Sequence, residues 1–181
     1  MITQRLKSKL ANFMERCGRK RIIMDRASNE PLLTRYYVFL KDRTWFPFNV
    51  FVHKFHKGDP DDVHDHPWPY ATLILKGGYW EWTPVFDTQG KKIAETCKWR
   101  GAGSFRINGA ESYHRIELSP NVTPWTLFIP GPHKREWGFL VKNKWIPNGE
   151  YLAHKAKHPG NPEQHLRTVA NSIGLQRNHL G

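Results

Sequence analysis

The chain has little cysteine and no long apolar run, and both absences narrow its class. Cys17 and Cys97 are the only cysteines among 181 residues, which is too few for a disulfide framework and indicates a reducing compartment. No apolar run approaches the roughly 20 residues of a membrane-spanning helix, and the N-terminus lacks the apolar stretch of a signal peptide. The sequence therefore predicts a cytoplasmic protein with no membrane partner.

Acidic residues are also scarce, and the resulting basic surplus is unevenly placed. The chain has 28 Lys and Arg against 16 Asp and Glu, a formal net charge of +12. Residues 1–27 hold eight basic and two acidic residues, and residues 153–181 hold four basic residues and one acidic. Basic charge concentrated in terminal segments favours contact with a polyanion such as nucleic acid. A surplus that serves only solubility is the alternative.

The distribution of residue types along the chain predicts one domain with two extensions. Residues 2–17 have the apolar periodicity of an amphipathic helix, whose stripe we expect to pack against the rest of the protein. Short β-rich runs broken by Gly, Pro, Asn and Asp fill the middle of the chain, with no helical interruption, which is typical of an antiparallel barrel or sandwich. We predict a basic helix and linker over 1–31, a β-barrel over 32–152 and a polar C-terminal extension over 153–181.

A histidine-rich run in the predicted barrel points to metal chemistry. On a predicted strand over Val63–Trp68, alternation places His64 and His66 on one face and Asp65 on the other. A third histidine, His114, opens a later predicted strand. Three neutral imidazoles suit a divalent transition metal, and the sequence does not choose among iron, manganese, nickel, copper and zinc.

These segments resemble the paired motifs of the cupin superfamily. The first cupin motif is matched by Gly58, His64, His66 and Gly77, while Tyr70 stands where the motif has its glutamate. In the second motif the matches are Gly103 and His114, and the departures are Gly109, Glu111 and Leu118. The resemblance implies an all-β double-stranded β-helix, the cupin jelly roll, with one divalent metal held by three histidines and no carboxylate.

The three-histidine pattern without glutamate is similar to that of thiol dioxygenases and some other mononuclear iron oxygenases. The resemblance thus implies a metal-dependent oxidoreductase of the dioxygenase type, with Fe(II) as the favoured ion. Its substrate would be a small polar or anionic molecule, a nucleotide or modified base included. Isomerase chemistry also occurs on cupin barrels. Cupins often pair as homodimers, and the sequence itself does not choose an oligomeric state. The alternatives are a metal- or ligand-binding module without turnover, and a nucleic-acid-associated protein that uses its basic ends.

Three further residues are candidates for the site. Strand alternation carries Trp68 and Tyr70 onto the inward face with the histidines. The Tyr70 hydroxyl is the candidate catalytic group, as a hydrogen-bond donor to a bound ligand or a weak fourth ligand, and core filling is its alternative. Trp68 is a candidate substrate contact. Arg106 is a candidate for binding an anionic group, with a surface role as the alternative.

Overall fold

The computed structural model describes residues 2–25, 28–41, 46–59 and 61–157. β-Strands are the predominant regular structure, as predicted, and residues 158–181 of the predicted extension lie outside the described part. The elements, in chain order, are α1 (Ile2–Arg16), β1 (Lys20–Met24), β2 (Pro31–Tyr37), β3 (Phe51–Phe55), β4 (Tyr70–Lys76), β5 (Gly78–Phe86), β6 (Lys92–Gly101), β7 (Phe105–Asn108), β8 (Arg115–Glu117), β9 (Trp125–Pro130), β10 (Gly138–Val141), β11 (Lys144–Pro147) and α2 (Asn148–Lys157).

The described strands form three antiparallel sheets with non-sequential neighbours. One sheet has the order β1-β2-β3-β9-β4-β7, the second the order β6-β5-β8, and the third is the hairpin β10-β11. The late strand β9 lies between β3 and β4, which is the long return connection of a Greek key. Two such sheets facing each other are a jelly roll, and the predicted all-β jelly-roll fold is confirmed.

Period-two burial shows which strand faces line the interior. In β3 the residues Phe51, His53 and Phe55 are buried, and their neighbours are only partly so. In β4 the buried positions are Tyr70, Thr72 and Ile74, so the predicted inward face is confirmed from Tyr70 onward. The main core cluster joins both sheets and consists of Phe55, Ile74, Tyr79 and Ile116. The hairpin and α2 form a second cluster, which consists of Phe139, Val141, Ile146 and Tyr151.

The prediction of a strand over Val63–Trp68 is wrong. Only His64 pairs there, in isolated bridges with His114 and Phe139. Proline has no N–H to donate to a ladder, and Pro67 and Pro69 interrupt this segment, so strand β4 begins only at Tyr70.

Regular structure extends beyond the predicted barrel at both ends. Strand β1 (Lys20–Met24) lies inside the segment predicted as helix and linker, and it pairs with β2. Helix α2 crosses the predicted boundary at residue 153, and its Tyr151 is buried. These two elements extend the sheet and the second core cluster, respectively.

The N-terminal helix forms as predicted, but part of its apolar stripe is not packed. Leu10 and Phe13 are 60% and 59% exposed, so the expectation that the stripe packs against the barrel is wrong for these two residues. Gly18 ends the helix with φ +62°, the left-handed conformation that glycine adopts at little cost. Contact of this basic segment with nucleic acid stays a prediction. No described helix is long and apolar enough to cross a membrane.

Close backbone packing explains two of the motif glycines, Gly58 and Gly77. Gly77, at the turn from β4 to β5, has φ +70°, and a Cβ there would lie 3.3 Å from Pro124 Cα. A Cβ on Gly58 would lie 2.8 Å from the carbonyl oxygen of Ile116, closer than a carbon atom tolerates. The backbone around the histidines is therefore packed tightly enough that only glycine fits at residue 58.

Candidate metal centre

Three histidines from two distant segments meet inside the barrel. His64 and His66 lie between β3 and β4, and His114 precedes β8 directly. The backbone N–H of His64 donates to the His114 carbonyl, and the N–H of His114 donates back, both at 2.9 Å. The His66 N–H donates to the carbonyl of Ala110 at 3.1 Å. This short ladder fixes the two segments against each other, and the ring nitrogens come within 4.8 Å of one another.

The donor atoms of this cluster fit a metal ion. The Nε2 atoms of His66 and His114 lie 2.9 Å apart, so two lone pairs would repel each other unless a proton or a cation lay between them. His64 completes the cluster, since one ring nitrogen of each of the three histidines lies within 4.8 Å of the other two, close enough for all three to bind one ion.

A buried glutamate that the sequence reasoning missed orients His114. Glu81 Oε1 lies 3.3 Å from His114 Nδ1, and a carboxylate only accepts hydrogen bonds, so Nδ1 carries the proton. The lone pair on Nε2 then points into the cluster, as a metal ligand requires. The other oxygen, Oε2, accepts from Arg100 Nε at 2.8 Å and from Arg106 Nη1 at 2.6 Å.

The charge state of Glu81 follows from these contacts. Burial alone would raise the pKa of its carboxyl group, but the hydrogen bonds from His114 and Arg100 and the charge of Arg106 outweigh burial and lower the pKa to about 2. Glu81 is therefore ionised at neutral pH.

The sequence gives a weak indication that Glu81 is a buried functional group. Glu81 stands between two tryptophans in β5, an otherwise apolar strand, and alternation puts it on the same face as the buried Tyr79. A carboxylate at such a position needs cationic partners, and both of them lie on other strands. Cross-strand pairing of β5 with β8 sets Glu81 opposite Ile116, two residues from His114, and that pairing is visible only in the fold.

Burial favours the neutral form of His64 and His66. The pKa of His66 lies well below its ordinary value because of burial and then the nearby charges of His114 and His64. The pKa of His64 is also lowered, mainly by burial, although the Asp59 carboxylate opposes this. Neutral imidazoles are the form that binds metals.

Tyr70, at the position of the missing motif glutamate, lies against the cluster. Its Oη is 3.4 Å from His114 Nε2, and its ring centroid is 4.6 Å from that of His66. Burial and the charge of Glu81 raise the pKa of the phenol above its ordinary value, so the hydroxyl stays protonated and acts as a donor. A catalytic role for Tyr70 stays a prediction.

The two predicted substrate contacts lie in different surroundings. Trp68 is half-buried and lines the same cavity as the histidines, and its Nε1 has no hydrogen-bond partner among the described residues. Arg106 instead bonds to Glu81 and, through Nη2 at 3.1 Å, to Asn108 Oδ1. The structure thus gives Arg106 a set of protein partners, and a substrate-binding role for either residue stays a prediction.

The histidine cluster opens into a cavity of about 380 Å³. Aromatic and aliphatic side chains form most of its wall, among them Phe55, Ile116, Phe128 and Phe139. Away from the cluster, Arg35 and His53 also line it. A concave, largely apolar space with a few convergent polar groups is typical of a small-molecule site.

No family model and no curated protein matches the chain. Among solved structures it is similar to the polyketide cyclase RemF from Streptomyces resistomycificus, with 15% identity over 81% of this chain and 92% of that one and a TM-score of 0.49. A cupin-2 domain protein from Rhodospirillum rubrum aligns with 11% identity over 86% of this chain and 89% of that one, at a TM-score of 0.49.

A third similar structure is the hydroxypropylphosphonic acid epoxidase from S. wedmorenis. It aligns with 12% identity and a TM-score of 0.44, over 62% of this chain and 56% of that one, so this chain spans little more than half of the epoxidase. Likeness at such values brings no activity to this protein, since one fold hosts many functions.

Proposed function

We propose that this protein is a metal-dependent cupin enzyme, a non-haem Fe(II) oxygenase that acts on a small polar or anionic molecule. The observation that carries the proposal is the cluster of His64, His66 and His114 at the wall of a largely apolar cavity. Three protein ligands leave coordination positions for a substrate, which a catalytic metal needs and a structural metal does not.

Charge at the site supports an anionic substrate. Three neutral imidazoles leave the +2 charge of an ion intact, and the cluster itself includes no carboxylate. Glu81 lies behind His114, where Arg100 and Arg106 balance its charge. A negatively charged donor atom of the substrate would therefore be attracted to the ion.

Each group of the chain has a separate task in this proposal. A bound Fe(II) supplies the one-electron oxygen chemistry that side chains lack. Glu81 holds the proton of His114 on Nδ1, the apolar wall excludes water, and the protonated Tyr70 hydroxyl donates a hydrogen bond to the substrate beside the cluster.

The test is Fe(II) binding followed by substrate-dependent oxygen consumption, both on untagged protein. Wild type should bind one Fe(II) under anaerobic conditions and consume oxygen with a member of a panel of small carboxylates, phosphonates and thiols. His64→Ala should lose most of the affinity and all turnover, whereas His133→Ala, at an exposed histidine, should match wild type.

Two results would change the proposal in different ways. Full Fe(II) occupancy in His64→Ala would show that the three histidines do not form the metal site. Tight metal binding with no turnover across the panel would favour the alternative of a binding module without catalysis.

A further inference from the structure

Arg35 lines the cavity that holds the histidine cluster, and its position is fixed by neighbours. It lies on β2, where its Nε donates to His53 Nε2 at 3.0 Å. Its guanidinium carbon lies 4.6 Å from the centroid of the Phe51 ring, and it also interacts with the Tyr37 side chain. The charged group is thus oriented before any ligand binds.

Arg35 makes no ion pair with a carboxylate among the described residues. The acidic side chains that line the cavity have other partners: Asp25 pairs with Lys57, Asp61 with Lys155, Glu81 with Arg100 and Arg106, and Asp59 accepts from the Ile116 N–H. His53 adds no negative charge, and burial and then the charge of Arg35 keep its pKa well below the ordinary histidine value. Within the described part of the chain, a partly buried guanidinium is therefore left without a counter-charge.

A second arginine increases this excess of positive charge. In the ladder of β1 and β2, Arg21 stands directly opposite Arg35, and like charges in that position repel each other. Arg21 is exposed and has no ion pair with a described residue. An anion between the two guanidinium groups would turn this repulsion into attraction.

The path from Arg35 to the histidines is short and runs along one sheet face. The His53 ring stacks on Phe128 with centroids 5.1 Å apart. Phe128 in turn stacks on Tyr70 at 5.1 Å and lies 6.3 Å from the His66 ring. The rings of His53 and Phe128 therefore lie side by side between Arg35 and the histidine cluster.

We propose that Arg35, with Arg21 opposite it on β1, binds the carboxylate or phosphonate group of a small substrate whose other end faces the histidine cluster. The inference rests on the proposed function for the identity of that other end. The guanidinium has five N–H donors, and its bonds to His53 and Tyr37 leave some of them for an oxyanion.

The experiment is calorimetric titration of metal-free protein with butyrate and propylphosphonate, and with butylamine as a cation of similar size. Wild type should bind the two anions and not the amine. Arg35→Met should weaken anion binding about 10-fold or more, since charge-assisted hydrogen bonds are lost. Arg35→Lys should fall in between, because it keeps the charge and loses the planar donor pair.

The control variants separate the local effect from net charge. Lys98→Met removes a charge from an exposed position on β6 and should leave anion binding unchanged, whereas Arg21→Met should weaken it by a smaller factor than Arg35→Met. Equal anion binding by wild type and Arg35→Met would overturn the proposal, as would binding of butylamine as tight as that of butyrate. If Arg35→Met does not fold, Arg35→Lys decides: unchanged binding of both anions would overturn the proposal.

Metal titration of the same proteins keeps the two proposals distinct. Arg35→Met should bind Fe(II) like wild type, and His64→Ala should bind butyrate like wild type. Anion binding that depends on Arg35 in a protein that binds no Fe(II) would refute the proposed function and leave the anion site standing. Normal Fe(II) binding together with no anion binding at millimolar concentration would refute the anion site alone.

Discussion

Two buried carboxylates flank the histidine cluster and do different work. Asp65 is fully buried between the two histidines of the first segment. It accepts from the Gly138 N–H at 2.6 Å and from Trp145 Nε1 at 2.9 Å, and it lies 3.5 Å from Arg135. Glu81 is 4% exposed, and it contacts the ring of His114 together with two arginines.

The contrast shows that nearness in sequence is a poor guide to function here. Asp65 is covalently next to two candidate ligands, yet it faces away from them and joins their segment to the β10-β11 hairpin. Glu81 is 33 residues from His114 in the chain and touches its ring. We infer that Asp65 stabilises the backbone that bears the ligands and that Glu81 tunes a ligand directly.

The largest expected effect is the loss of stability in Asp65→Ala. The change leaves the Gly138 N–H and Trp145 Nε1 buried without an acceptor and Arg135 without its buried partner, so the free energy of unfolding should fall by about 3–5 kcal/mol. Urea denaturation measures it. Glu111→Ala is the matched control, because Glu111 also lies 3.5 Å from Arg135 but has an 83% exposed side chain, and its effect should stay within about 0.5 kcal/mol. Similar losses in both variants would contradict the stabilising role of Asp65.

Fe(II) affinity should depend strongly on Glu81 and only weakly on Asp65, the reverse of the order expected for stability. Glu81→Gln keeps the shape of the side chain and removes the charge that holds the proton on His114 Nδ1, so Fe(II) affinity should fall about 10- to 100-fold. Asp65→Asn should change the affinity by much less, since Asp65 contacts none of the ligand rings. Equal losses in the two variants would mean that Glu81 acts only through stability.

Acid should weaken the contribution of Glu81 to stability in a defined window. The pKa of Glu81 is about 2 in the folded protein against 4.5 for the ordinary group. Its contribution is therefore fully present above about pH 4.5 and is lost as the pH falls toward 2. The difference in unfolding free energy between metal-free wild type and Glu81→Gln should be constant from pH 7 to 5 and shrink below that range. A difference that does not change on acidification would rule out an ionised, depressed Glu81.

Tyr70→Phe should have the smallest effect on metal binding. The hydroxyl is protonated and 3.4 Å from His114 Nε2, so it is not expected to ligate the ion, and Fe(II) affinity should stay within about twofold of wild type. A ten-fold loss would make Tyr70 a fourth ligand in place of the missing glutamate. A loss of turnover at unchanged metal affinity is the outcome that the proposed catalytic role predicts.

Much of the site followed from local patterns. The alternation of His64, Asp65 and His66 predicted that Asp65 points away from the two histidines. This prediction did not need a strand, because neighbouring side chains of any extended backbone point in opposite directions. The same parity placed Tyr70 inside. Arg106 lies opposite Thr72 in the sheet, and there its guanidinium is bonded to Glu81 and Asn108, two partners that no local pattern indicated.

The sequence by itself determined the class of fold and the three histidines, because turn residues, period-two alternation and a glycine-framed histidine spacing are local properties of the chain. Only the tertiary structure decided which groups act on those histidines. Glu81 reaches His114 because β5 pairs with β8, and Arg35 enters the same cavity because β2, β3 and β9 lie side by side. Such pairings depend on contacts between residues far apart in the chain, whose partners no local pattern specifies.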